Sequence, residues 1–464
     1  MDWPQHPALQ AALLQSPRYA ALATALQGLI LRGELLPGDR LPPERRLAEC
    51  LALSRSTVVA AYARLAEAGW VSARQGQGTT VSAGPPGHVA AGKRHVRLGN
   101  PALRRAGGAD GAAWVDFGLA TAVPELAWLQ PSPASASLVL RESAYQPEGM
   151  LALRERIAAR YTSQGLATAP EQVLVCAGAQ QAISLLAQQY LAPGERVLLE
   201  APNYFGAIDV FRSCGAVLDE LPVQPRAGHA AAFTAALDSG RHKLAYVCPA
   251  LHNPSGMSWS RSAVERLARS AARGSGLLLV DDSLAELHFE ADARPMPAPR
   301  GAPIVHIGSL SKTLWAGLRI GWLRAPAPII EVLRRAKANA DIACSALSSA
   351  LACELLDRYD SLLAPRRAQL QTQARQLIAA LREQLPHWRV QMPEGGLFLW
   401  VQLPAHGRDA EAWVEAAAAA RVRLTPGTAM TTGPGYQRHL RLAFTQASMQ
   451  AQEGVRRLAA LESR

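Results

Sequence analysis

The stretch Ser309-Leu310-Ser311-Lys312-Thr313-Leu314-Trp315-Ala316-Gly317-Leu318-Arg319-Ile320-Gly321-Trp322 sets a lysine between two hydroxyl residues, with an arginine following and a glycine on each side of that arginine. A lysine so placed can form a Schiff base with an aldehyde. Ser309, Ser311 and Arg319 supply hydroxyl donors and a planar cation for a phosphate. Pyridoxal phosphate carries both an aldehyde and a phosphate. The residue type is itself informative, because only Lys93, Lys243, Lys312 and Lys337 among the 48 Lys and Arg residues are lysine. A chain that writes its positive charges as arginine has kept at 312 an amine with an accessible neutral form, which imine formation requires and arginine lacks. The plain alternative is a solvated lysine beside a turn, and the surrounding residues decide between the two.

Working outward, short apolar runs alternate with amphipathic stretches from Trp114 onward. Val173–Cys176, 196–199, Leu244–Val247, 277–280 and 304–307 read as buried strands of a largely parallel sheet covered by helices. Chemistry in such sheets gathers at the carboxyl ends of the strands. The first strand is followed by Ala177-Gly178-Ala179-Gln180, small residues opening a helix and leaving N–H groups for a phosphate. The second is followed by Tyr204, placed to stack on a flat ring or to pack in a core. The third leads to Asn253 in a tight turn, and the fourth to Asp281. A carboxylate facing a pyridine nitrogen keeps it protonated. Each signal is weak alone; five in order on strand ends are strong.

This order resembles the fold-type I pyridoxal-phosphate enzymes, the aspartate aminotransferase superfamily, with a large and a small subdomain. The resemblance implies that Lys312 holds the cofactor, Asp281 faces the pyridine nitrogen, Asn253 donates to the ring hydroxyl and Tyr204 stacks on the ring. Gly178, Ala179, Gln180, Ser309, Ser311 and Arg319 would cradle the phosphate. The segment AYQPEGMLALRERIAARY carries Tyr145, implied to reach the partner subunit's site. PEGGLFLW and HLRLAF match the small-domain segments that make Arg441 the candidate for a ligand carboxylate, its alternative being a surface strand arginine. One departure stands out. Ser283 and Leu284 occupy the places where the superfamily often has a tyrosine, which puts efficient transamination in doubt.

The first eighty residues read differently. Leu22, Leu26, Leu29 and Ile30 fall at helical spacing, a second helix follows Pro42-Pro43-Glu44, and Ser54 caps a third from Arg55 to Ala68. Residues 70–72 and 79–81 then read as a hairpin around Gly76 and Gly78. Three helices and a hairpin make a winged helix-turn-helix, whose recognition helix enters the major groove by its first turn. Arg55 suits guanine, and Ser56 and Thr57 suit phosphate or base edges. Arg40, Arg45 and Arg46 suit the backbone, and the Gly76 wing the minor groove. The alternative is a three-helix interaction module, since eight Arg stand against only six Asp and Glu over residues 1–82. The run LLPGDRLPPERRLAECLALSRSTVVAAYARLAEAGWVSARQGQGTTV is similar to the GntR family, except that Pro43 replaces the usual hydroxyl residue.

At 464 residues, 49% hydrophobic and 18% charged, the chain is expected to fold as more than one globular domain. The boundaries fall at 12–82 for the DNA-binding domain, 83–113 for a flexible basic linker and 114–464 for the effector and dimerisation domain. The net charge of +11 permits nucleic acid as partner. The six scattered cysteines show no paired or metal-ligand spacing and are expected to be reduced. No signal peptide or bilayer-length apolar run is visible, which places the protein in the cytoplasm. Together the halves resemble the MocR subgroup of bacterial regulators. That resemblance implies a homodimer binding a double-stranded DNA operator. It senses an amino compound through an external aldimine on pyridoxal phosphate, or senses pyridoxal phosphate itself. An active aminotransferase with a fused head and a cofactor-free scaffold are the competing readings.

Overall fold

A computed structural model describes residues 3–4, 6–13, 16–31, 34–35, 39–74, 78–82, 114–120, 125–141, 145–223, 228–290 and 294–462. The chain forms two compact units, Met1–Leu98 and Gly99–Arg464. The expected linker, 83–113, and the wing residue Gly76 lie outside the described residues. No helix among the described residues is long and apolar enough to cross a membrane.

In the first unit, helices α1 (Pro7–Leu13), α2 (Arg18–Leu31), α3 (Glu44–Cys50) and α4 (Arg55–Glu67) precede a hairpin of β1 (Val71–Arg74) and β2 (Gly78–Val81). The apolar spacing in α2 has its expected effect, because Leu22, Leu26, Leu29 and Ile30 are buried with Leu47, Val58, Leu65 and Trp70. Sequence reading did not place α1, whose Leu9 joins the same core. Ser54 caps α4 by accepting from the Thr57 N–H at 3.1 Å. Pro43 precedes α3 without a side-chain cap, as its missing hydroxyl dictates. Tyr62 in α4 donates to the Pro42 carbonyl at 2.8 Å, fixing that helix against the proline turn.

The second unit begins with β3 (Val115–Asp116) and is built on seven strands: β4 (Val173–Cys176), β5 (Arg196–Ala201), β6 (Val217–Pro222), β7 (Leu244–Val247), β8 (Leu277–Asp281), β9 (Ile304–Ser309) and β10 (Gly321–Arg324). Their order is β4-β10-β9-β8-β7-β5-β6. The pairs β5–β6, β5–β7, β7–β8 and β8–β9 are parallel. β10 runs antiparallel between β4 and β9. Alternate residues face opposite layers, so Leu279 and Ile307 join one core while Leu278, Val280 and Ile304 join another. A smaller sheet of β11 (Arg389–Val390), β12 (Phe398–Gln402), β14 (Thr425–Pro426) and β15 (His439–Ala443) packs with the long helix Tyr359–Gln384. Between them in the chain, β13 (Val422–Arg423) pairs in parallel with β3.

The ends of β5 and β7 are locked by one buried carboxylate. Glu200, fully buried, accepts from the Cys248 N–H at 2.9 Å and the Trp259 indole at 3.2 Å, and pairs with His229 Nε2 at 3.0 Å. Burial pushes the carboxyl up, but His252, His229 and the Cys248 N–H outweigh it and hold Glu200 below the ordinary value. Glu200→Ala strands all three partners inside the protein and should destabilise the second unit by about 3–5 kcal/mol in denaturant unfolding. Glu200→Gln, which keeps one acceptor, should cost less.

Candidate functional site

The parallel strands bring residues distant in sequence to one edge of the sheet. Asp281 ends β8 opposite Ile307 of β9, and Gly321 begins β10 opposite both Ser309 and Cys176. Because β10 is antiparallel, its amino end and the preceding Arg319 share that edge with the carboxyl ends of the others. Gly178, Ala179, Gln180, Tyr204, Asn253, Asp281, Ser309, Ser311, Lys312 and Arg319 all line one cavity. These are the ten cofactor-binding candidates of the sequence.

Lys312 sits in a one-turn helix, Leu310–Thr313, capped by Ser309, whose hydroxyl accepts from the Ser311 N–H at 3.2 Å. Its Nζ donates to the Ala120 carbonyl at 3.1 Å. Desolvation, with repulsion from Arg441 and Arg319 against the pull of Asp281, lowers its pKa to about 8. Roughly a tenth of the amine is then neutral at pH 7, against about one part in a few thousand for an ordinary lysine.

Beside it lies an anion cradle. Gly178, at φ +88°, precedes the helix Ala179–Tyr190, which has no side-chain cap. A Cβ at Gly178 would stand 3.0 Å from Arg319 Nη2, and one at Gly321 would meet the Gly178 backbone at 2.7 Å. Arg319 reaches back to the Ala177 carbonyl. Ser311 Oγ and Gln180 Oε1 are buried without a protein partner. The loop is braced from behind. Lys337, fully buried, donates to Asp341 at 2.7 Å; Gln181 donates to Asp341 at 2.6 Å and accepts from the Ala177 N–H at 2.7 Å.

Asp281 accepts from the Ser283 N–H at 2.9 Å and from the Tyr246 hydroxyl at 2.5 Å. Sequence reading passed over Tyr246; the signal was a lone phenol in an aliphatic strand. Burial, then the charge of Asp281, raises the Tyr204 hydroxyl to about 12, so it stays protonated. Ser283 also lines the cavity, its hydroxyl buried and unpartnered.

Arg441 is no surface arginine, being 3% exposed. Its guanidinium lies between the rings of Phe398, at 4.4 Å, and Phe205, at 5.3 Å. Nη1 donates to Asn253 Oδ1 at 3.3 Å and Nη2 to the Gly118 carbonyl at 2.8 Å, while Nε is buried without a partner. Desolvation lowers its pKa to about 10, and Arg441 remains a cation at neutral pH. The turn at Gly118 was not foreseen as part of the site. Tyr145, 74% exposed, is not among the described residues lining this cavity.

In the first unit Arg40, Arg45, Arg46, Arg55 and Ser56 are exposed and Thr57 is half-buried. Arg45 pairs with Glu49 at 3.4 Å. The Ser56 and Thr57 hydroxyls lie 2.9 and 2.7 Å from the Ser54 hydroxyl, so both help close the cap of α4.

The residues fit pyridoxal phosphate. The cradle has no room for a Cβ and holds orphaned polar groups for a phosphate, Asp281 offers a carboxylate, and Lys312 has an amine poised near neutrality. Known proteins agree. Residues 138–459 match the family of class I and II aminotransferases, and residues 18–81 the gntR family of bacterial regulatory proteins. The HTH-type transcriptional regulator TauR of Rhodobacter capsulatus is 31% identical over 93% of each chain. The probable rhizopine catabolism regulatory protein MocR of Rhizobium meliloti is 30% identical over 80% of this chain and 78% of its own. Among solved structures, LysN, an alpha-aminoadipate aminotransferase of Thermus thermophilus, superposes with a TM-score of 0.67. It is 29% identical and covers 75% of this chain and 92% of its own.

The depressed lysine makes a test. In the cofactor-free protein the rate at which Lys312 captures pyridoxal phosphate should rise with pH and level off above about 8, where an ordinary lysine levels off above about 10. Arg441→Met removes a cation that lowers that pKa, so the midpoint should move up when followed by rapid-mixing absorbance.

Proposed function

The chain belongs to the MocR-type regulators of the gntR family, in which a DNA-binding head is joined to a class I and II aminotransferase domain, and we propose that it controls an operator in double-stranded DNA by sensing an amino compound, or pyridoxal phosphate itself, in that domain. When bound, the cofactor supplies an aldehyde carbon on which primary amines exchange reversibly. Lys312 holds it through an amine kept near neutrality, and Asp281, oriented by Tyr246, holds a proton on the ring nitrogen. Tyr204 stacks on the ring, Asn253 donates to its hydroxyl, and Gly178, Ala179, Gln180, Ser309, Ser311 and Arg319 hold the phosphate.

One observation carries the sensory reading: beside Lys312 a buried guanidinium, Arg441, keeps an N–H without a partner. An amine acceptor next to a carboxylate acceptor describes an amino acid or a close relative. Leu119, Leu284 and Phe398 face the same cavity and suit an uncharged remainder. The chain acts as a cytoplasmic homodimer, with Tyr145 offered to the partner's site. In the head, Arg55, Ser56 and Thr57 enter the major groove while Arg40, Arg45 and Arg46 hold phosphates, with Gly76 on the wing. The domain boundaries follow at 12–82, 83–113 and 114–464.

A second reading, an active aminotransferase with a fused head, is supported by the likeness to LysN and the poised lysine. Ser283 and Leu284 oppose it, since an unpartnered aliphatic hydroxyl and an apolar side chain stand where the superfamily often has a phenol.

Absorption and DNA binding test the proposal together. The purified protein with pyridoxal phosphate should show a visible band that Lys312→Ala lacks. One member of a panel of amino acids should perturb the band and the operator affinity together, without continuing release of an oxo acid. Steady oxo-acid release would favour the enzyme instead. Arg55→Ala should weaken operator binding by about 1–3 kcal/mol and leave the band unchanged.

A further inference from the structure

We propose that Arg423, which does not line the cavity, is the positioning residue that passes ligand binding at Arg441 out to Trp114, the first described residue after Ser82. The inference rests on the sensory reading above and names the residues that carry its signal.

The turn from Asp116 to Ala120 occupies both ligand-reading groups. The Ala120 carbonyl accepts from Lys312 at 3.1 Å, and the Gly118 carbonyl accepts from Arg441 Nη2 at 2.8 Å and Thr425 Oγ1 at 3.4 Å. A carboxylate reads a guanidinium through two parallel N–H groups. Both two-pronged edges of a guanidinium include Nη2, and on the Nε side the second prong is the buried, unpartnered Nε. Nη2 carries two N–H groups, so a ligand carboxylate on either edge shares that nitrogen with the Gly118 carbonyl. In this proposal the pull of the ligand on Nη2 shifts the turn.

That shift has a side-chain route outward. Asp116 Oδ1 accepts from the Gly118 and Leu119 N–H groups at 2.9 and 3.0 Å. Its other oxygen accepts from Arg423 Nη1 at 3.2 Å. The Arg423 guanidinium in turn lies over the Trp114 ring, 4.6 Å from its centroid. One carboxylate is shared between the turn and Arg423, and one guanidinium between Asp116 and Trp114. Phe117 is fully buried, its N–H donates to the Arg423 carbonyl at 3.0 Å, and its carbonyl accepts from the Ala443 N–H at 2.7 Å. Phe117 is pinned on both sides, and the side chains of Asp116 and Arg423 give a displacement at Gly118 a path to Trp114.

The test uses the full chain and a duplex selected in vitro with the pyridoxal-phosphate-loaded wild type. Phosphopyridoxyl adducts of leucine, alanine and glutamate replace the cofactor, each presenting a carboxylate to Arg441. Operator affinity is compared between cofactor and adduct for wild type, Arg423→Ala, Trp114→Leu and Trp114→Phe. In the wild type at least one adduct should change operator affinity by about tenfold, within the range of ordinary allosteric coupling. Arg423→Ala and Trp114→Leu should bind that adduct as tightly while their operator affinity changes less than about twofold. Trp114→Phe, which keeps an aromatic face for the guanidinium, should retain most of the response. Should Arg423→Ala fail to take up cofactor, the two Trp114 variants carry the comparison. If the variants respond as the wild type does, the relay is overturned and the sensory reading stands. If every adduct binds the wild type and leaves its operator affinity unchanged, the sensory reading falls and the relay with it.

Discussion

Two cations, Lys312 and Arg319, line one cavity with Asp281, and a third, Arg441, lies buried against its walls at Asn253 and Phe398. Like charges in a partly desolvated space repel strongly, and the arrangement persists because each cation is held differently. Lys312 yields part of its charge, its pKa falling to about 8. Arg441 stays charged and is stabilised by the faces of Phe205 and Phe398 and by two oxygen acceptors. Arg319 remains exposed and leans on the Ala177 carbonyl. Such a cavity is unsatisfied by itself. The Gly178 cradle suits a phosphate, and the proposed effector would bring a carboxylate to Arg441.

Most of the second unit serves to keep that cavity rigid. Buried charges brace it from behind: Lys337 with Asp341 on the phosphate side, Glu200 with His229 and His252 beneath the Tyr204 and Asn253 turns. Breaking such a pair leaves an uncompensated charge inside the protein, which costs more than the pair contributes. The turn at Gly118 differs. It holds its place through single hydrogen bonds to Lys312 and Arg441, so in the proposed sensor it is the part of the site on which ligand binding would act. Differential affinity for two states is the physical requirement for a switch.

The head follows separate rules. Its stability comes from one small apolar core, while its recognition face depends on a capped first turn. Ser54 holds the Thr57 N–H, and Ser56 and Thr57 close around the same hydroxyl. Arg55 stands at the start of α4 with its charge exposed.

Much of this was determined by sequence alone. Apolar runs of strand length, separated by helical periods, force parallel strands, and parallel strands place their carboxyl ends on one edge. The nine candidates other than Arg319, which end or follow those strands, therefore meet at one edge. Helix spacing and Ser54 fixed α2 and α4 in the same local way. Tertiary structure decided the rest. That β10 inserts antiparallel between β4 and β9, bringing Arg319 onto Gly178, has no signal in a four-residue run. Tyr246 bonds Asp281 because neighbouring strands are in register, and Gly118 caps Arg441 from far away in the chain. Such contacts carry no period and no local propensity, so only the folded chain brings them together.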